Sequence, residues 1–333
     1  MSRFAALLAA IPLSFCLTGV GAAACAGKNL FDQYPPDRLA EVEAATAAVP
    51  FATGNFWRAT RGDEVITIAG TYHFDDPRHD PAIKALTPHI TSATTVLVEA
   101  GPEEEKALKD LVARDPSRLM ITEGPTLIEQ LPPELWDSLS QAMSDRGIPG
   151  FMAAKFRPWY VVAVLSIPPC AMAQMVEPRG LDGMVIDAAT EAGVPVHGLE
   201  PFDTVFRIFD GMSEAELIDM LQSSLLFEDR SEDYAATLAD SYFAGEGRKI
   251  WEFMRFESYG MPGYTRDQVD AEFAKMEVAL MASRNRAWIP VLTEAAAQGP
   301  VFAAFGALHL SGNEGVLALL QDEGFSIQPL DLY

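Results

Sequence analysis

Histidine and cysteine are scarce in this chain, with five histidines and three cysteines among 333 residues. Past the first 24 residues only Cys25 and Cys170 remain, too few for a zinc site built on thiolates. Basic residues are scarce too. Twenty-four Lys and Arg face 47 Asp and Glu, a formal net charge of −23. That balance argues against nucleic acid or an anionic membrane as partner, because phosphate contacts are made by Lys and Arg. There is no Gly-x-Ser-x-Gly nucleophile elbow and no phosphate-binding glycine loop. What is present, 49% hydrophobic and 21% charged residues, is the composition of a folded protein.

The N-terminus stands apart. Arg3, the apolar run Phe4 to Leu17 and the small residues Gly19 to Ala24 have the layout of a secretory signal peptide spanning residues 1–24. Ala22-Ala23-Ala24 would be its cleavage site. The loss of Arg3 leaves 23 basic against 47 acidic residues, a charge of −24. The mature chain is then periplasmic or secreted. It has no transmembrane anchor, since no later stretch is apolar enough over ~20 residues. Lipid anchoring at Cys25 is disfavoured, because Ala22 stands where a lipoprotein signal has a larger aliphatic residue. In an oxidising compartment Cys25 and Cys170 either form a disulfide or persist as a free thiol and a buried one.

Two strand-like runs end in the same way. VITIAGTYHF places Gly70 two residues before His73, and VFAAFGALHL places Gly306 two residues before His309. Each is followed by a polar loop, a helical stretch and another strand, the first closing on Glu99 and the second on Asp331. The pattern predicts a weak internal duplication. Between the copies, about 103–298, the chain reads as mostly helical, with a long helix capped at Thr265 and bent or broken at Pro290. The expected fold is one α/β domain over 25–333, a central mixed β-sheet flanked by helices and carrying a helical insertion.

Loops leaving the carboxyl ends of such strands are where ligands gather. Gly70 and Gly306 allow a sharp turn or a close approach, and His73, His309 and Glu99 would meet at that edge. Two imidazoles and a carboxylate suit a divalent transition metal such as Mn, Co, Zn or Fe, which would activate water for hydrolysis. Two ordinary hydrogen-bonded histidines are the plainer reading. His79 in a polar loop, His89 at a helix end and His197 on a short strand fit no metal spacing.

FAAFGALHLSGNEGVLALLQDEGF, with IAGTYH and LVEAGP, resembles the TraB/GumN family, which includes the TIKI proteases and is distantly similar to erythromycin esterases. The resemblance implies metal-dependent hydrolysis, of the peptidase type, of a peptide or other carbonyl substrate. It carries His73 and His309 over as metal ligands, and Glu99 as a third ligand or general base. Arg284 and Asn285 match the family's Arg-Asn pair, with Arg284 able to stabilise an oxyanion or to tie the long helix to the sheet. Asp182 and Glu200 fall on recurrent acidic positions, as supporting or substrate-contacting residues, or as a helix cap and a surface ion pair. Ser283 replaces a frequent family glutamate. Two alternatives stay open: a metal-independent esterase with a histidine general base, and a non-catalytic envelope binding protein. Substrate identity and oligomeric state are not encoded in any motif.

Overall fold

A computed structural model of the chain describes residues 25–175, 179–330 and 332. The expected signal peptide (1–24) and Asp331 lie outside them. The chain folds as an α/β protein around one mixed sheet of six strands. These are β1 (Phe56–Arg61), β2 (Glu64–Thr71), β3 (Thr95–Val98), β4 (Val196–Gly198), β5 (Val301–Gly306) and β6 (Ser326–Pro329), in the order β4-β3-β5-β2-β1-β6. A tight turn at Gly62, with φ +60°, makes β1 and β2 a hairpin. β1 is antiparallel to both its neighbours, whereas β2, β5, β3 and β4 pair in parallel. Five strands therefore point the same way and deliver their C-terminal loops to one edge.

The central strands are apolar on both faces because both faces are covered. Helices α1 (His79–Thr91) and α2 (Leu181–Glu191) bring Leu86, Ile90, Leu181 and Val185 onto Val96, Val98, Phe302 and Ala304. Helix α3 (Ser231–Phe243) belongs to the stretch between β4 and β5. Helices α4 (Ser283–Ala296) and α5 (Val316–Asp322) cover the other face, packing Trp288, Leu292, Val316 and Leu320 on Ile66, Ile68, Ala303 and Phe305. The stretch between β3 and β5 is mostly helical, and part of it builds an apolar core of its own around Leu139, Met143, Val161 and Leu221.

The two expected copies are visible as β2-α1-β3 and β5-α5-β6. They differ in where they land. The first crosses over one strand, β5, and the second crosses over two, β2 and β1. Cys25 and Cys170 are disulfide-bonded across 145 residues of sequence, and no described helix is long and apolar enough to cross a membrane.

Two local expectations need correction. Pro290 does not end α4, which runs through it to Ala296. It lies on an exposed side, where the carbonyl its ring leaves unpaired reaches water. The irregularity comes earlier, as a π-turn over Val278–Ala282 between the helix Arg266–Glu277 and α4. His79 is not in the polar loop either; it opens α1 with no exposed surface, its ring taken in among Tyr72, Tyr242 and Phe243.

Candidate functional site

Because β2 and β5 are adjacent and parallel, with Thr71 opposite Gly306, their two Gly-x-x-His segments leave the sheet side by side. Neither glycine has a positive φ. They are needed for close approach. A Cβ on Gly70 would lie 2.5 Å from the Leu310 side chain. A Cβ on Gly306 would lie 3.2 Å from Glu99 Oε1, 3.6 Å from His73 Nε2 and 3.7 Å from the His309 ring. His73, Glu99 and His309 therefore converge on the bare face of Gly306, as their strand-end positions predict.

The histidines take different places. His309 is buried at 5% exposure in a short 3-10 turn, its ring 4.5 Å from that of Trp288. It forms part of the floor, not the mouth. His73 is exposed, and its Nδ1 lies 3.1 Å from Asp182 Oδ1 in the first turn of α2. Both acids taken from the family pattern thus reach the site: Asp182 beside His73, and Glu200 beneath Arg284.

Arg284 organises the floor. Its Nε and Nη2 donate to the two oxygens of Glu200 at 2.8 and 2.7 Å, and Nη2 also donates to Glu99 Oε2 at 2.6 Å. Nη1 donates to Leu280 O at 3.0 Å and to His309 Nε2 at 3.1 Å. All five guanidinium N–H groups are thereby used. Trp288 Nε1 donates to Glu200 at 3.1 Å, and Gly306 N–H donates to Glu99 Oε1 at 2.6 Å. Asn285 Oδ1 lies 2.6 Å from His309 Nδ1, while its amide donates to Glu314 O at 2.7 Å. With Arg284 donating to Nε2, the His309 proton sits on Nδ1 and is held by Asn285.

The π-turn sets this up. Such turns re-phase a helix, and here the turn supplies Leu280 O and aims Arg284 and, one turn on, Trp288 at the same carboxylate. Ser283, beside them, is exposed.

Charge separates the titrating groups. Burial alone would raise the Glu99 pKa, but His309, Arg284, His73 and the Gly306 amide together hold it down to about 2. Burial, with Arg284 and His73 close by, pushes His309 down to about 4 against the pull of Glu99. For His73, exposed as its side chain is, the protein packed around the ring opposes the charge by desolvation, yet the hydrogen bond and charge of Asp182, with Glu99 behind, raise it to about 9. At neutral pH the site holds ionised Glu99, neutral His309 and protonated His73.

The residues present do not fit the metal that the resemblance implies. His309 Nε2 spends its one lone pair on Arg284, and Glu99 is already ion-paired, Oε2 accepting from Arg284 and Oε1 from the Gly306 amide. Among the described residues no group of three or more His, Cys, Asp or Glu is placed to hold a metal ion. The Arg284 guanidinium already supplies positive charge to the His309 and Glu99 acceptors. His79, His89 and His197 lie outside the site, with His197 exposed on β4. A cleft of 790 Å³ lies elsewhere, between helices of the insertion, lined by Arg118, Trp159 and Phe209 among others.

Sequence reasoning missed two contributors, Trp288, which holds Glu200, and Leu280, which holds Arg284 through its carbonyl; it named Gly306 but not the N–H that holds Glu99. Trp288, four residues after Arg284 on one helix face, was the findable one.

The fold and site define an α/β protein with a half-buried Arg–carboxylate–histidine network and an exposed His–Asp pair at the C-terminal edge of its parallel strands. The chain belongs to the TraB/PrgY/gumN family, whose profile matches residues 55–329. Comparison with curated proteins and with solved structures gives no match.

Proposed function

We propose that this chain is an exported hydrolase acting on a peptide or another carbonyl substrate, with His73 as the proton-transfer group. The observation that carries this reading is the His73–Asp182 pair, whose free Nε2 faces Gly306 and Glu99 at an open edge. In the deprotonated form of the pair, which grows as pH rises towards about 9, His73 Nε2 takes a proton from water as the water oxygen bonds to the substrate carbonyl carbon. The same proton then goes to the leaving nitrogen or oxygen as its bond to carbon breaks. Asp182 holds Nδ1–H, orienting the ring and stabilising the imidazolium. Glu99, held at about 2, is a poor base at neutral pH and instead anchors the floor with Arg284.

The engaged Nε2 of His309 and the ion pair of Glu99 with Arg284 favour the metal-independent form of this reading, with Arg284 supplying the positive charge. Two measurements on the mature protein test it: turnover on peptide and ester libraries, and bound Mn, Co, Zn and Fe. His73→Ala is expected to abolish turnover while leaving the fold intact, with metal well below one equivalent. Stoichiometric metal, lost on His73→Ala and His309→Ala, would restore the metal-dependent form. Full turnover by His73→Ala would sink both forms.

A further inference from the structure

The loop that carries His73 is gripped from two sides, and the disulfide joins the grips. On one side stands the end of α3. Tyr242 Oη donates to Gly70 O at 2.9 Å, and its ring stacks on Tyr72 at 5.4 Å. Phe243 packs 4.9 Å from His79 and lies 4.2 Å beneath the Arg78 guanidinium, whose Nη1 donates to Asp240 Oδ1 at 2.8 Å. On the other side, Gln174 Oε1 accepts from Asp75 N–H at 3.0 Å, and Leu181 N–H donates to Tyr72 O at 3.0 Å. Gly180 sits so close that a Cβ there would come within 2.4 Å of the His73 carbonyl.

The N-terminal segment closes this clamp. Lys28 N–H donates to Asp233 Oδ1 at 2.7 Å, Leu30 N–H to Thr237 Oγ1 at 2.8 Å, and Asn29 Nδ2 to Asp240 Oδ2 at 3.0 Å. Positions 233, 237 and 240 form one stripe of α3 at helical spacing. Asp240 is the joint, with one oxygen on the segment and the other on the His73 loop. Just before this segment Cys25 bonds Cys170, four residues ahead of Gln174.

We infer that the Cys25–Cys170 disulfide, acting through Asp240, positions His73: intact, it holds both grips on residues 72–79, and broken, it frees that loop while the sheet stays folded. Without it residues 25–30 become a chain end, which frays readily. The hydrogen bonds that remain are each worth only ~1 kcal/mol. The Arg78–Asp240 pair is itself exposed and adds little alone. Neither cysteine belongs to the clusters that pack on the sheet. The proposal rests on the reading of His73 as the proton-transfer group, but its test does not.

Hydrogen exchange of the full mature chain, followed by mass spectrometry, compares the oxidised protein with C25A/C170A and with Asp240→Ala. At labelling times too short for global unfolding, peptides covering 72–79 are expected to exchange at least about tenfold faster in both variants, with those of β2 and β5 changed less than about twofold. Asp240→Asn, which keeps an acceptor for Arg78, should restore much of the protection. The downfield Nδ1 proton of His73 should broaden in the same variants. Unchanged loop exchange in C25A/C170A, or sheet and loop accelerating together, overturns the inference. A loop that loosens with no loss of turnover leaves the clamp standing and removes His73 from the chemistry.

Discussion

Arg284 has no N–H left over for a substrate, which confines it to holding charge and geometry. Its removal leaves Glu99 and Glu200 without their main partner in a half-buried setting. Arg284→Met is therefore expected to cost about 3 kcal/mol or more in urea unfolding. Gly306→Ala puts a methyl 3.2 Å from Glu99 Oε1. It should cost about 1–3 kcal/mol and reduce turnover by displacing Glu99 or His73. The His73 pair makes a sharper prediction. As a general base His73 works once deprotonated, so turnover should rise with pH towards about 9. Asp182 raises that pKa, so Asp182→Asn should move the rising limb to lower pH while lowering the maximum. A limb that stays in place in the variant would remove Asp182 from the assignment.

At the scale of elements, the strand-end pattern was readable because it is local: an apolar run, a glycine, two residues and a histidine. That grammar placed His73 and His309, and the run TVLVE placed Glu99. Parallel pairing then brought all three together. The π-turn could not be read in the same way, because 278–282 (VALMA) is good α-helical sequence and only the demands of Arg284 and Leu280 re-phase it. Deleting one residue within 278–282 rotates what precedes or follows it by about 100°. Helix content by circular dichroism should hold while turnover is lost. His79 was misplaced for a related reason: polar neighbours on both sides suggested a loop, and two of the three aromatic partners that bury it lie some 160 positions away, on α3. Asp182 and Glu200 were legible through family resemblance alone, since nothing local distinguishes them from caps and surface acids.

For the molecule as a whole, the network should leave a signature in stability against pH. His309 is held near 4, so between about 6.5 and 4 the unfolded chain binds a proton that the folded one refuses, and stability falls as pH drops through that window. Glu99 contributes stability above the usual carboxylate pKa that is lost as pH falls towards about 2. His73 acts in the opposite sense: its contribution is complete below about 6.5 and fades as pH rises through about 9. Urea midpoints from pH 3 to 10 should show an acid shoulder, and His309→Gln should flatten its upper part. Reduction of the disulfide, which closes a loop of 145 residues, is expected to cost about 2–5 kcal/mol. The sheet also ends cautiously. Its outer strands, β4 and β6, have three and four residues, and β6 finishes on Pro329, which has no N–H to offer. An incoming strand from another molecule finds only a short ladder at either described edge, and the long apolar strands β2 and β5 stay sealed at the centre.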